Sequence, residues 1–322
     1  MIHAIAWLGV GVAALIAGAE LLVRGGAALA ARLGISPLLI GLTVVALGTS
    51  TPELAVGIEA AIQGNGSLAV GNIVGANIIN ILLILGFSAA LRPLAIQMQT
   101  LRLELPVIVL AAVTLFAFAW DGVLSRLEGV LLVTMGAAFT LALIHAARRE
   151  SFKVKREFAR EYSVRRLPGR QAVTEFLMLI VGIVVIVAGA DWLVDGAVAL
   201  ARLWHVSDAF IGLTIVAIGT TTPELVTTII STIRGERDIA IGNLIGSSVY
   251  NILVILGVTS ITSTGGIDVG SHLIRVDIPV MVGVALLCIP VFLSGRQISR
   301  IEGGLFVSAY AGYLSYLIIE RT

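Results

Sequence analysis

Long apolar runs separated by short polar connections dominate the hydropathy pattern of this 322-residue chain. Most runs have about 20 residues, the length at which an α-helix crosses a hydrocarbon core of about 30 Å. Turn signals and charges divide the pattern into ten predicted spans. In chain order these are residues 2–24, 36–62, 68–91, 103–120, 126–146, 172–195, 207–233, 239–261, 276–294 and 301–319. The pattern therefore predicts an all-α polytopic membrane protein.

The composition agrees with this prediction. The chain is 58% hydrophobic and 13% charged, whereas a soluble domain carries about 25% charged residues. Its mean hydropathy is +1.03. We therefore expect membrane lipid to surround the protein. We expect no nucleic-acid partner, and no segment implies a protein partner.

The distribution of basic residues predicts the orientation. The longest connection, residues 147–171, carries nine Lys and Arg residues. When this loop is placed in the cytoplasm, 17 of the 21 Lys and Arg residues fall on that side, as the positive-inside rule requires. The prediction is an integral, multi-pass protein of the cell (plasma) membrane with both termini extracytoplasmic.

The chain contains an internal repeat. Gly41–Gly86 aligns without a gap with Gly212–Gly257 at an offset of 171, and 24 of the 46 positions are identical. The repeat predicts two halves of five spans each, residues 1–146 and 172–322, joined by the basic loop. Because five is odd, the second half must enter the membrane from the opposite side. Such inverted-topology repeats are typical of secondary transporters, although some channels share this symmetry.

The second and seventh spans are each interrupted by the same polar stretch, GTSTPEL from Gly48 and GTTTPEL from Gly219. Pro52 and Pro223 lack an N–H, so the carbonyls of Gly48 and Gly219 lose their helical partners. Freed carbonyls at membrane depth need a polar partner. Hydroxyl side chains lie at each interruption, Thr49, Ser50 and Thr51 in the first half and Thr220, Thr221 and Thr222 in the second.

A glutamate follows each proline, Glu53 in the first half and Glu224 in the second. A charge at the centre of a bilayer costs at least about 2.5–3.5 kcal/mol, and two such charges repel each other. The repeat symmetry places both stretches near the midplane, where a bound cation would offset these costs. Carboxylate, hydroxyl and carbonyl oxygens suit Ca²⁺ and Na⁺. The absence of Cys and His from these stretches argues against zinc.

The third and eighth spans carry a second pair of matching stretches, GNIVGANIIN from Gly71 and GNLIGSSVYN from Gly242. Their glycines either allow close helix packing or loosen the helices. Asn80 and Asn251 either face an ion site or form hydrogen bonds between helices. We predict that helices 2, 3, 7 and 8 are broken at a shared ion site.

These motifs resemble the α-repeats of the calcium/cation antiporter superfamily, and most closely its sodium/calcium exchanger branch, including prokaryotic members. The resemblance covers nearly the whole chain. It implies that Thr49, Glu53, Thr220 and Glu224 hold Ca²⁺, and that Asn80 and Asn251 line the centre. It also implies that sodium sites share these ligands and add Ser50, Thr221, Ser247 and the backbone carbonyls of Ala46 and Ala217.

The sequence departs from the family pattern at two positions. Potassium-dependent members have an aspartate at the position of Asn251, so the amide here makes a potassium requirement less expected. Many members have a serine where this chain has Ala76, while the second half retains Ser247. One hydroxyl ligand of a sodium site is therefore missing.

The expected function is exchange of Na⁺ for Ca²⁺ by alternating access, with Ca²⁺ extrusion as the expected direction and spans 1 and 6 as the expected moving pair. Proton-coupled exchange is an alternative, because both glutamates can titrate. A passive cation channel is an alternative from another class. An enzyme is not expected, because catalysis would leave the hydroxyl-rich interruptions without a purpose. Ca²⁺ and Na⁺ are the transported ions, and no resident cofactor is expected.

Overall fold

Almost all described residues lie in helices. The computed structural model describes residues 2–33, 35–149, 169–203 and 217–321. The α-helices are α1 (Ile2–Leu33), α2 (Pro37–Ile40), α3 (Ala46–Thr49), α4 (Thr51–Ile62), α5 (Gly66–Ile78), α6 (Gly86–Leu91), α7 (Leu105–Phe118), α8 (Arg126–Arg149), α9 (Gly169–Leu203), α10 (Ala217–Thr220), α11 (Thr222–Arg234), α12 (Arg237–Tyr250), α13 (Gly257–Thr262), α14 (Ile278–Leu293) and α15 (Arg300–Arg321). π-Helical turns occupy Gly41–Val45, Ile79–Leu85, Thr100–Glu104, Asn251–Leu256 and Leu273–Asp277, and a 3₁₀ turn occupies Ala119–Asp121. The strands are β1 (Leu94–Ala95), β2 (Val123–Leu124), β3 (Ile267–Asp268) and β4 (Gln297–Ile298).

Membrane-spanning helices account for most of this structure. Among the described residues, seven helices are long and apolar enough to cross a membrane, and the interrupted pair Pro37–Thr49 and Thr51–Ile62 makes an eighth if it counts as one span. The predicted span 207–233 lies partly outside the described residues, and most of the basic loop 147–171 lies outside them too. The prediction of an integral, multi-pass helical protein is confirmed.

The predicted breaks are confirmed in spans 2 and 7 and are wrong in spans 3 and 8. Span 2 stops at Thr49 and restarts at Thr51, and span 7 stops at Thr220 and restarts at Thr222. Spans 3 and 8 instead run as continuous helices, residues 66–91 and 237–262. Asparagine and glycine keep the backbone N–H that proline lacks. The hydrogen-bond ladder there changes to π-helical spacing at Ile79–Leu85 and Asn251–Leu256 and does not end.

The chain forms two compact units that do not coincide with its two repeats. The first unit comprises Met1–Thr49 and Leu143–Asn243, and the second comprises Ser50–Ala142 and Leu244–Thr322. Each unit therefore contains helices from both halves of the sequence. The boundaries at residues 49/50 and 243/244 fall inside the polar stretches of spans 2 and 8.

In the first unit, α1 and α9 pack together through glycines. These are Gly11, Gly18 and Gly25 of α1 and Gly182, Gly189 and Gly196 of α9, spaced by seven residues in each helix. A Cβ atom on Gly182 would lie 2.6 Å from the backbone nitrogen of Leu22 and 2.8 Å from the carbonyl oxygen of Gly18. The other five glycines have similarly close backbone neighbours. Small residues at this seam let the two backbones approach closely.

The core of the first unit surrounds this helix pair. Leu15, Ala19 and Leu22 of α1 are buried with Leu179 and Ile186 of α9. Ile40, Val45 and Ile239 belong to the same cluster, and Val226 and Ile230 of α11 pack against it. The interrupted spans are thereby anchored to the α1–α9 pair.

The second unit shows repeat-related contacts. Strand β1 pairs with β4 and β2 pairs with β3, both antiparallel. Gly86 of α6 contacts Gly303 of α15, and Gly257 of α13 contacts Gly129 of α8. Helices α8 and α15 also begin with matching capping boxes, formed by Ser125 with Glu128 and by Ser299 with Glu302. Each of these strand pairings and glycine contacts joins an element of the first half to an element of the second, and the repeat-related elements form the corresponding contact.

Candidate ion site

The polar interruptions of spans 2 and 7 have matching local structures. Ser50 links α3 to α4 with φ −82° and ψ 13°, and Thr221 links α10 to α11 with φ −88° and ψ 3°. Pro52 and Pro223 then occupy the second position of the new helix, where a missing N–H removes no helical hydrogen bond. The sequence GT[ST]TPE therefore ends one helix and starts the next.

The two predicted carboxylates lie in the first turn of these new helices. Glu53 belongs to α4 in the second unit, and Glu224 belongs to α11 in the first. Both side chains are fully buried. A helix N-terminus favours a negative charge, by about 0.3–1 kcal/mol at an exposed site and more when partly buried. Each buried glutamate therefore lies at the favourable end of its helix dipole.

In the first unit, Asn243 connects the two interrupted spans. Thr49 Oγ1 donates to Asn243 Oδ1 at 3.1 Å, and Asn243 Nδ2 donates to Thr228 Oγ1 at 3.2 Å. All three side chains are fully buried. Thr49 belongs to α3 and Thr228 to α11, so one amide from α12 holds the hydroxyls of both spans.

In the second unit, asparagines form a corresponding buried polar group. Asn251 Nδ2 donates to Asn77 Oδ1 at 3.4 Å, and Asn77 Nδ2 lies 3.7 Å from Met281 Sδ. Asn251 Oδ1 and both polar atoms of the Asn80 side chain are buried and have no hydrogen-bond partner among the described residues. A buried amide without a partner costs about 1–3 kcal/mol, and an ion bound there would offset this cost.

The predicted site residues divide between the two units. The first unit contains Ala46, Thr49, Ala217, Thr220, Thr221 and Glu224, and the second contains Ser50, Glu53, Asn80, Ser247 and Asn251. The side chains of Thr49, Ser50, Thr220, Thr221 and Ser247 are all buried.

The predicted backbone ligands lie in the short helices before the interruptions. The Ala46 carbonyl accepts a 3.4 Å hydrogen bond from Thr49 Oγ1. Ala217 is the first residue of α10, and its side chain lies outside the described part of the structure.

Sequence reasoning missed Asn243, Thr228 and Asn77 as members of these polar groups. Asn243 corresponds to Asn72 in the repeat, and both follow a glycine. The recurrence of an asparagine at this position in both halves could have indicated a functional role. Thr228 had no such signal, because Gly57 occupies its position in the first half. The pairing of Asn77 with Asn251 depends on how their helices pack.

Two further buried acids, Glu104 and Asp277, follow the repeat at an offset of 173. Glu104 accepts a 3.0 Å hydrogen bond from Gln99, and Asp277 accepts a 2.8 Å hydrogen bond from Tyr313. Protein donors therefore hold these carboxylates.

Among the described residues, no group of three or more His, Cys, Asp or Glu side chains is placed to hold a metal ion. A cation at the candidate ion site would therefore need hydroxyl, amide and carbonyl oxygens as ligands in addition to carboxylates.

Comparison with known proteins identifies the family. The family model for sodium/calcium exchanger protein matches residues 3–145 and 174–319. The putative antiporter CaxA of Alkalimonas amylolytica is 37% identical over 312 residues, or 97% of each chain. The inner membrane protein YrbG of Escherichia coli is 37% identical over 320 residues, covering 98% of this chain and 97% of that one. The sodium/calcium exchanger MaX1 of Methanosarcina acetivorans is 31% identical, covering 95% and 96% of the two chains.

A solved structure agrees with these relatives. The sodium-calcium exchanger NCX_Mj superposes with a TM-score of 0.85 at 27% identity, covering 98% of each chain. Its family is one of transporters and not of enzymes. The resemblance identified from the sequence motifs is confirmed. The chain belongs to the sodium/calcium exchanger protein family and is a multi-pass membrane antiporter of Ca²⁺ and other cations.

Proposed function

We propose that this protein exchanges Na⁺ for Ca²⁺ across the cell membrane by alternating access and extrudes Ca²⁺. The observation that carries the proposal is the pair Glu53 and Glu224, two fully buried acids at repeat-equivalent positions, each just after a helix interruption. Since both would be costly without a counter-charge, we infer that a cation accompanies them during transport.

The charge of this pair accounts for exchange. Two carboxylates contribute about −2, which one Ca²⁺ or two Na⁺ would neutralise. Ions that share ligands compete, and competition at one site with gated access is sufficient for coupling. The oxygen ligands available are hard donors, which suit both ions.

The individual ligands are proposed as follows. Ca²⁺ is held by Thr49, Glu53, Thr220 and Glu224, and Asn80 and Asn251 line the centre. Na⁺ shares these ligands and adds Ser50, Thr221, Ser247 and the carbonyls of Ala46 and Ala217. The burial of their polar side chains supports this assignment. So do Asn251 Oδ1 and the amide atoms of Asn80, which have no hydrogen-bond partner within the described ranges.

We further propose the predicted architecture of ten spans in two inverted repeats, residues 1–146 and 172–322, with the 147–171 loop in the cytoplasm and both termini outside. The exchanged pairing of β1 with β4 and of β2 with β3 supports an inverted repeat. The matching capping boxes and glycine contacts of α8 and α15 support it as well.

The moving element is proposed to be the pair α1 and α9, which correspond to spans 1 and 6. Their glycine seam brings backbone against backbone along much of both helices. Such a tightly packed pair would move as one body.

Sodium-driven uptake of ⁴⁵Ca²⁺ into proteoliposomes tests the function. Vesicles loaded with Na⁺ and diluted into Na⁺-free buffer should accumulate ⁴⁵Ca²⁺, and dissipating the Na⁺ gradient should stop uptake. Uptake driven equally well by a pH gradient in Na⁺-free vesicles would favour proton-coupled exchange by the same glutamates. Ca²⁺ flux that needs no counter-ion would indicate a channel.

Transport should not require potassium. Position 251 carries an amide, so the proposed centre has two carboxylates and no third charge for an additional cation. Initial rates of Na⁺-driven ⁴⁵Ca²⁺ uptake should agree within about two-fold in K⁺-free and K⁺-containing buffer, which is about 0.4 kcal/mol or less in transition-state free energy. Choline should keep the ionic strength constant. A strict K⁺ requirement would show that this charge count is wrong.

The difference between Ala76 and Ser247 should set sodium affinity. Both side chains are buried at repeat-equivalent positions, but a methyl group cannot coordinate Na⁺. We expect Ala76→Ser to lower the Na⁺ concentration that gives half-maximal exchange and Ser247→Ala to raise it, each by about three- to ten-fold, or about 0.7–1.4 kcal/mol. Apparent Ca²⁺ affinity should change little, because the glutamates dominate its binding.

The measurement for this pair is the Na⁺ dependence of Ca²⁺ exchange in vesicles, with the wild type as reference. An unmoved curve for Ser247→Ala would assign Ser247 to helix packing alone and remove it from the sodium ligands.

A further inference from the structure

Helix α11 has a buried polar face that extends beyond Glu224. Thr227, Thr228, Ser231 and Thr232 form this surface, here called the hydroxyl face, and each is at most 1% exposed. At 100° per residue, all four lie within about 80° of Glu224 around the helix axis. Val226 and Ile230 lie on the opposite side, at about 200–240°, where they pack against the core of the first unit.

Two hydroxyls of this face have no hydrogen-bond partner in the described part of the chain. Thr228 accepts a hydrogen bond from Asn243, and Thr232 donates to the Thr228 carbonyl. Thr227 Oγ1 and Ser231 Oγ are buried and have no hydrogen-bond partner among the described residues. Buried polar atoms in native proteins are nearly always satisfied, so exceptions require an explanation. Helix stability does not provide one, because Thr and Ser are only moderate helix formers.

The internal repeat shows that the hydroxyl face is a specific feature of the second half. At the offset of 171, the corresponding residues of the first half are Val56, Gly57, Ala60 and Ala61, none of which has a polar side chain. The flanking motifs GT[ST]TPEL are nearly identical. The four hydroxyls therefore distinguish the buried faces of two helices that begin with nearly the same motif.

The hydroxyl face leads from Glu224 toward the Arg234 end of α11. With a rise of 1.5 Å per residue, Ser231 lies about 10 Å and Arg234 about 15 Å beyond Glu224 along the axis. Successive turns thus present an oxygen about every 5 Å. Arg234 Nε donates to Glu20 Oε2 of α1 at 2.9 Å, and Glu20 also pairs with Arg24. One carboxylate therefore offsets part of the positive charge at this end.

We propose that the hydroxyl face is the entry and exit route for Na⁺ and Ca²⁺ between Glu224 and the Arg234 end of α11. This inference rests on the proposed cation exchange, and under the proposed topology the route opens to the cytoplasm. Hydroxyl oxygens replace part of the hydration shell of a passing ion without adding charges that would hold it. Because the first half lacks these hydroxyls, the route on the opposite side of the membrane has a different lining.

Cysteine accessibility tests this route without depending on transport. In a Cys288→Ala background, single cysteines replace Thr227, Ser231 or, as the matched control on the apolar side of the same helix, Ile230. Oriented vesicles are treated from either side with a charged, membrane-impermeant methanethiosulfonate, with and without a Na⁺ gradient, and the remaining thiols are counted by maleimide labelling. We expect Thr227→Cys and Ser231→Cys to react at least ten-fold faster than Ile230→Cys, from the Arg234 side, and Ca²⁺ to slow the reaction.

Equal rates at all three positions, or reaction only from the other side, would overturn the route. Should a cysteine variant fail to fold, Thr227→Val with Ser231→Ala provides a second test, because these keep the side-chain volume nearly constant. They should slow exchange by about three- to ten-fold, and an unchanged rate would also overturn the route. Reactive cysteines in a protein that shows no Na⁺-dependent Ca²⁺ flux would reject the proposed exchange but keep the route.

Discussion

Glu53→Gln and Glu224→Gln are each expected to abolish Na⁺-driven Ca²⁺ uptake while leaving a folded protein. Both carboxylates are fully buried at the start of a helix. Bulk water therefore cannot compensate for the charge that the glutamine variant lacks. Removing one member of a buried charge pair costs about 3–5 kcal/mol, which corresponds to a loss of roughly two to four orders of magnitude in Ca²⁺ affinity.

A binding measurement separates this effect from misfolding. Ca²⁺ that binds the native state raises the melting temperature, so addition of Ca²⁺ should stabilise the wild type but neither variant. Without Ca²⁺ or Na⁺, the variants should melt at the wild-type temperature or above, because each has one buried charge fewer.

Glu59→Gln is the matched control on the same helix. Glu59 is exposed, accepts a hydrogen bond from Gln63, and lies about 240° around α4 from Glu53. Its replacement should leave uptake within about two-fold of the wild type, about 0.4 kcal/mol. Substantial transport by Glu53→Gln or Glu224→Gln would rule out a site that needs both carboxylates.

Gly182→Ala is expected to destabilise the protein and to impair exchange. The added Cβ would lie 2.6 Å from Leu22 N and 2.8 Å from Gly18 O, which are backbone atoms of α1. Neither atom can move without moving the helix, so α1 and α9 must separate along their seam. Overpacking of this kind costs about 1–3 kcal/mol, and a larger side chain at this position should cost more.

Gly9→Ala provides the control within the same helix pair. Gly9 also lies in α1, but a Cβ atom there would have no neighbour within 4 Å. Because alanine is the better helix former, this variant should melt at or slightly above the wild-type temperature. Thermal unfolding in detergent and ⁴⁵Ca²⁺ uptake should be measured on both variants. Equal melting temperatures for Gly182→Ala and Gly9→Ala would show that α1 and α9 accommodate the extra methyl group without loss of stability.

Some features of this protein were readable from the sequence because they depend on local chemistry. A run of about 20 apolar residues favours a membrane span wherever it occurs. Pro52 and Pro223 remove a backbone N–H in any surroundings, so the helix ends at Thr49 and Thr220 could be predicted. The burial of Glu53 and Glu224 followed from their position inside apolar spans, and the repeated motifs were sufficient to identify the family.

Other features could not be read in this way. Asparagine and glycine leave the backbone N–H in place, so local chemistry did not separate a broken helix from the continuous helices with π-helical turns found in spans 3 and 8. The link from Thr49 to Asn243 joins residues 194 positions apart. The repeat divides the chain into halves, yet the compact units divide it at residues 49/50 and 243/244.

By itself, the sequence determined that the chain crosses the membrane several times, where spans 2 and 7 break and that Glu53 and Glu224 are buried, because hydrophobicity and a missing N–H act on each segment alone. The tertiary structure alone decided which side chains meet. It set the glycines of α1 against the backbone of α9, gave Asn243 its two hydroxyl partners, and turned the hydroxyls of α11 inward. These outcomes depend on distances between helices, and a pattern along one helix does not contain such distances.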